Sequence, residues 1–151
     1  MSGYLLDTSF LSIFAPDRPP LPLHVLDWVA DQRERGSWHT SSIVVVEVER
    51  GIAKLERSGG HAKAERISRW FEELLAEFDE HVLSVNSAIA REAGRLEDAA
   101  IARGRNPGLA DVLIAATARL HDLSVLTANV RHFAVLDVRY FNPMAEGGSK
   151  T

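Results

Sequence analysis

Four polar side chains stand where apolar segments would ordinarily exclude them, and their types suit work on a phosphate. Asp7 follows the apolar run Tyr4-Leu5-Leu6, and Asn129 comes just after Ser124-Val125-Leu126-Thr127. Glu47 interrupts Val44-Val45-Val46-Glu47-Val48, and Asp111 precedes Val112-Leu113-Ile114-Ala115-Ala116. A buried ionised carboxylate is costly unless a positive charge compensates it. Several converging on one place require a cation, and hard divalent ions such as Mg²⁺ or Mn²⁺ take oxygen ligands and bridge to phosphate. Each acid alone has a plainer explanation. Asp7 can cap a helix, Asp111 can be a first-turn charge favoured by a helix dipole, and Glu47 can face solvent from an amphipathic helix. The set and its placement predict a site.

Short strands alternating with helices must position these residues. The run 4–6 predicts a first strand, and Asp7-Thr8-Ser9 caps a helix running to about Phe14. Pro16, Pro19, Pro20 and Pro22 make a rigid connector, followed by a helix over 24–35 that stops at Gly36. Trp38-His39-Thr40 is a second strand. Propensity alone would make the β-branched stretch 43–52 a strand, but Ser41-Ser42 caps it as a helix to about Arg57. One face of that helix carries Ile43, Val46, Arg50 and Ala53. Beyond Ser58-Gly59-Gly60, the apolar spacing over 61–78 is that of an amphipathic helix. Its aromatic stripe Trp70-Phe71-Phe78 is expected in the core or at a dimer interface. Strands over 82–85, 124–127 and 138–141 remain, with helices from Asn86 or Ser87 to Arg103 and over 109–120. The alternation predicts an α/β fold with a mostly parallel sheet and right-handed crossovers. Sites in such sheets lie beyond the carboxyl ends of the strands.

The chain has 151 residues, 46% hydrophobic and 25% charged, which is ordinary for a globular protein and excludes a disordered or collagen-like chain. One domain is expected over 1–143, with 144–151 a frayed, disordered tail. Cysteine is absent, which excludes disulfides, thiolate metal sites and cysteine nucleophiles. Seventeen basic against 21 acidic residues leave a net charge of −4, so nucleic acid must be met by a local basic patch or by bound cations. Asp7 cuts the first apolar run, so no signal peptide is expected, and no run approaches the roughly 20 residues of a membrane helix. A cytoplasmic protein follows from that. The six histidines have no paired ligand spacing, which argues against zinc.

Four motifs in order carry a family resemblance: Leu5-Leu6-Asp7-Thr8-Ser9, Glu47-Val48-Glu49-Arg50-Gly51-Ile52, Asp111-Val112-Leu113-Ile114-Ala115-Ala116-Thr117-Ala118, and Leu126-Thr127-Ala128-Asn129-Val130-Arg131-His132-Phe133. Together they resemble the PIN domain, and specifically the VapC toxins of type II toxin–antitoxin systems. The resemblance implies an α/β/α sandwich and an endoribonuclease dependent on Mg²⁺, with Mn²⁺ able to substitute. It also implies a homodimer, a VapB-type antitoxin as partner, and structured RNA such as tRNA or rRNA as substrate. Asp7, Glu47 and Asp111 match the acidic catalytic and metal-binding residues of that family, and Asn129 is a further candidate ligand. Thr8 and Thr127 are expected to support them, and Arg131 and His132 to touch RNA; Ser9 is expected to be an ordinary cap.

Relatives in the resembling family often add an acid where Asn129 or His132 stands; here neither position is acidic. That keeps a second function class open, a catalytically weak or inactive PIN fold that binds RNA or a partner. A haloacid-dehalogenase-like phosphatase is disfavoured, since Ser9 stands where its second aspartate is required. A receiver domain is disfavoured as well, because Lys54, Lys63 and Lys150 lie at no strand end.

Overall fold

Parallel strands buried on both faces read as short apolar runs, and five of them make the sheet. In the computed structural model, residues 3–145 are described. The strands are β1 (Tyr4–Leu6), β2 (Trp38–Ser41), β3 (Val82–Leu83), β4 (Ser124–Leu126) and β5 (Tyr140–Phe141). Their order is β3-β2-β1-β4-β5, and every pairing is parallel. The helices are α1 (Thr8–Leu11), α2 (Leu23–Glu34), α3 (Ser42–Arg57), α4 (His61–Phe78), α5 (Ser87–Ala102), α6 (Leu109–Leu120) and α7 (Val130–Ala134). The expected α/β architecture, a parallel sheet flanked by helices, is therefore present.

Central β1 is buried throughout, with Leu5 fully enclosed between His39 of β2 and Val125 of β4. Trp28 of α2 packs edge-on against Tyr4, Trp38 and Phe141, with ring centroids 5.3, 6.3 and 5.4 Å away. That geometry suits the ring quadrupoles and ties three strands to one helix. Helices as short as α1 and α7 do not persist alone in water. Here Phe10 and Leu11 anchor α1, and Phe133 anchors α7, each 0–1% exposed. Burying a side chain of that kind contributes about 1.5–3 kcal/mol. The polar residues beside them consequently ride on the core.

Several boundaries move. The first helix is α only to Leu11 and tightens to a 3₁₀ turn over Ser12–Phe14. Ser41 caps α3, its hydroxyl accepting from the Ile43 amide. The core face of α3 is Val44 and Val48, whereas Val46 of the expected shared face is 56% exposed. A 3₁₀ turn, Asp79–His81, precedes β3, which stops at Leu83 because the Val85 amide bonds to Ser42 Oγ. The last strand shortens to Tyr140–Phe141, and the sequence pattern did not mark α7. Gly36 and Gly104 end α2 and α5 with φ of 68° and 78°, as their positions predict. Of the predicted tail, 146–151 lie outside the described residues, while Asn142 Oδ1 accepts from the Met144 amide. Phe71 and Phe78 are buried as expected.

Candidate functional site

Parallel pairing of β1 with β4 places Leu6 opposite Leu126, so the residues that follow, Asp7 and Thr127, emerge side by side at the carboxyl edge. The Asp7 amide bonds to Leu126 O at 3.0 Å. Asp7 is the only carboxylate in the buried class among the described residues, at 4% exposure. Its Oδ1 accepts from the Phe10 amide at 2.8 Å, capping α1, and from Ser9 Oγ at 2.8 Å. No cation pairs with it among the described residues. Burial therefore raises its pKa above the ordinary carboxylate value, and the charge of Asp111 adds to that rise. Hydrogen bonds from Thr127, Phe10 and Ser9 pull the other way.

The hydroxyls knit two segments that are far apart in sequence. Ser9 Oγ lies 3.2 Å from Thr127 Oγ1 and accepts from the Ala128 amide at 2.9 Å. Thr127 Oγ1, fully buried, accepts from the Asn129 amide at 2.9 Å. Ser9 is thus the hub joining α1 to the β4–α7 turn, a role beyond the ordinary cap expected of it. A serine in the first turn serves either purpose, so sequence alone could not separate them.

The other two acids reach the same corner from helices. Glu47, in the second turn of α3, accepts from Thr8 Oγ1 at 2.5 Å and lies 3.8 Å from the Arg50 guanidinium. Asp111 stands in the first turn of α6, whose cap is Gly108, a residue without a capping side chain. Asp111 Oδ2 is 3.0 Å from Nδ1 of His132 in α7. Burial raises the Asp111 pKa; His132 opposes this, and the charge of Glu47 reinforces it. The charge of Glu47 therefore reaches Asp111, and that of Asp111 reaches Asp7. Asn129 begins α7, exposed, and its side chain forms no cap. Arg131 is exposed on α7 with no contact to the acids among the described residues.

Carboxylates with hydroxyl support are oxygen donors of the kind hard divalent cations accept. Among the described residues, however, no three His, Asp or Glu side chains are gathered tightly enough to hold an ion. Two of the acids are instead held by the chain's own groups, Glu47 by Thr8 and Asp111 by His132. The corner is also separate from an apolar groove of about 430 Å³ that Leu6, Phe14, Val29, Trp38, Trp70 and Leu74 help to line. Trp70 belongs to that groove and is no stacking platform at the acids.

Residues 4–138 match the family model of the PIN domain. The chain is 32% identical over 139 residues to Toxin FitB of Neisseria gonorrhoeae, covering 92% of this chain and 96% of that protein. It is 34% identical over 111 residues to Ribonuclease VapC10 of Mycobacterium tuberculosis, covering 74% of each. A solved structure of FitAB bound to an IR36 DNA fragment superposes with a TM-score of 0.77 at 30% identity, covering 94% of this chain and 96% of that one. No helix among the described residues is long and apolar enough to cross a membrane.

Proposed function

The chain belongs to the PIN-domain family, and we propose that it is the ribonuclease toxin of a VapBC-type toxin–antitoxin pair, hydrolysing RNA phosphodiester bonds with a divalent cation. The observation that supports this is the approach of Asp7, Glu47 and Asp111 to one corner at the carboxyl edge of the sheet, where the charge of Asp111 reaches Asp7 and that of Glu47 reaches Asp111. Relatives named as a toxin and as a ribonuclease, and a neighbouring structure that is a DNA-bound FitAB complex, support the same reading. The partners would be a VapB-type antitoxin and an RNA such as tRNA or rRNA, the protein acting as a cytoplasmic homodimer over one domain, 1–143.

Asp7, Glu47 and Asp111 would hold the ion, Mg²⁺ or in its place Mn²⁺, with Asn129 offering a neutral carbonyl oxygen. When bound, the ion supplies Lewis acidity and lowers the pKa of an attacking water. The protein's own part is positional. Ser9, Thr127 and the Phe10 amide fix the Asp7 carboxylate, and Thr8 fixes Glu47. Arg131, exposed in the fourth motif, is a candidate for contact with an RNA phosphate.

Purified protein should cleave RNA with Mg²⁺ or Mn²⁺ and lose activity in a chelator. Expressed alone it should arrest growth, and the neighbouring antitoxin should restore it. Failure of the protein to cut any RNA with either metal would instead favour a binding module, the reading that the non-acidic Asn129 and His132 keep in play.

A further inference from the structure

Beyond Glu47, helix α3 runs away from the acid corner, and its exposed side carries cations in register. Arg50, Lys54 and Arg57 are spaced i, i+4 and i+7, which puts them on one face of the helix. All three are exposed, and the row spans about 10 Å at 1.5 Å per residue. It begins one turn from Glu47: the Arg50 guanidinium lies 3.8 Å from Glu47 Oε2, with the Arg50 side chain 73% exposed. Among the described residues no acid pairs with Lys54 or Arg57, and the Arg50 guanidinium makes no hydrogen bond. The other acids of α3 lie elsewhere. Glu49 and Glu56 line a cleft shared with Glu65 and Arg69 of α4, and none of the three cations enters it. A helix dipole favours cations in the last turn, which accounts for Lys54 and Arg57. It does not account for Arg50 in the middle of the helix, and Ser58 Oγ already serves the carbonyls of Lys54 and Leu55.

We propose that this row is a phosphate track: Arg50, Lys54 and Arg57 bind the backbone of a single-stranded stretch of RNA and lead it to the acids. The inference rests on the nuclease reading above and adds where its substrate lies. A chain of net charge −4 repels nucleic acid at long range, so without bound cations it must bind through a local basic patch. The row is such a patch, and its first member touches the site. Guanidinium groups take phosphate through paired N–H donors, and an ammonium takes it as a point charge. The contact of Arg50 with Glu47 is long and solvent-exposed, and exposed pairs contribute little. The guanidinium can therefore leave it for a phosphate. Phosphate contacts fix position along the strand and carry no sequence information, so the track reads no base. An acidic protein segment would meet the same charges. The start of the row beside Glu47 favours the polyanion on which the acids act.

Fluorescence anisotropy of a labelled single-stranded RNA, mixed with the full chain in chelator across a range of KCl, reads the track without cleavage. Each phosphate contact steepens the fall of log affinity with log salt by about 0.7 for a single strand. The native slope should therefore exceed that of Arg50→Gln/Lys54→Gln/Arg57→Gln by about 2, and each single substitution should remove about a third of the difference. Glutamine suits an exposed helix position, and matching melting curves check the fold. The control Arg35→Gln/Arg66→Gln/Arg139→Gln has the same net charge and should keep the native slope. Native protein that binds no RNA in chelator, an unchanged slope in the triple variant, or a control that flattens it equally overturns the track. So does displacement of the RNA by polyglutamate at equal charge concentration, which would make an acidic protein segment the occupant. Cleavage of the same RNA with Mn²⁺ is scored separately. Cutting by a native protein whose slope the triple variant shares leaves the nuclease reading standing without the track. A slope that the triple variant loses, in a protein that never cuts, keeps the track and overturns the nuclease reading.

Discussion

Asp7 is 4% exposed and held by directional hydrogen bonds with no countercharge, whereas Asp111 and Glu47 are partly open and lean on His132 and Arg50. The inner carboxylate is fixed by the sheet edge and by hydroxyls from two segments. The outer pair is placed by helices and contacted by side chains that solvent reaches. Geometry is therefore built into the inner half, while the outer half has solvent-facing side-chain partners. A cation entering the corner would meet one rigid anion lacking a partner and two whose partners can be exchanged.

Asp7→Asn strikes this contrast hardest. Divalent-dependent RNA cleavage should fall to background, while asparagine still accepts from Ser9 and Phe10. Because the folded-state pKa of Asp7 is raised above the ordinary 3.8, the charged form weakens the fold. The stability linked to this group is complete below that ordinary value and is lost as pH rises through the folded value. Metal-free Asp7→Asn should accordingly melt level with or above the native protein at neutral pH. That advantage should shrink as the solution is acidified toward 3.8. Melting curves across that window check the sign, and a lower melting temperature at pH 7 would mean the charge is compensated by something other than metal.

Asp111→Asn tests the outer half. Cleavage should again collapse, but melting should barely change, since a partly exposed ion pair contributes only about 0–1 kcal/mol. Ser9→Ala is a milder probe of the inner scaffold. It removes a donor to Asp7 and an acceptor for the Ala128 amide, at a net cost of about 1 kcal/mol per bond. Thermal denaturation should show that loss, together with a partial fall in cleavage at unchanged protein concentration.

The smallest effect is expected from Asn129→Asp. The residue is exposed and its side chain caps nothing, so the fold should be unaffected. A negative charge beside the acids should tighten metal binding in the free protein and lower the Mg²⁺ concentration needed for activity. Metal titration by calorimetry decides, and equal affinities would place Asn129 outside the ion's reach.

Sequence made the inner half legible because its signals are local. An apolar triplet ending in Asp-Thr-Ser marks both a strand end and a cap, and Asp7 serves as both. Asp111 at a helix start and Glu47 in a capped helix were visible for the same reason. The partners of the outer acids were not, because Thr8 to Glu47 and His132 to Asp111 are contacts between elements. Helix α7 escaped notice since five residues carry too little periodicity, and burial of Phe133 decides its fate. The core face of α3 was similarly hidden. Val44 and Val46 are chemically alike, and only the approach of neighbouring elements determines which one is enclosed.

The first strand pairs along its whole length with β4, Tyr4 against Ser124 and Leu6 against Leu126. During synthesis Asp7 is made well before β4, the strand that seats it. Non-local parallel pairings of this kind close late and slowly. Unfinished polypeptides, and fragments severed between the two strands, carry the acids without the corner. The corner assembles only once β4 has joined β1. Topology and translation speed thus set an interval in which the nascent chain has its acids but no assembled corner.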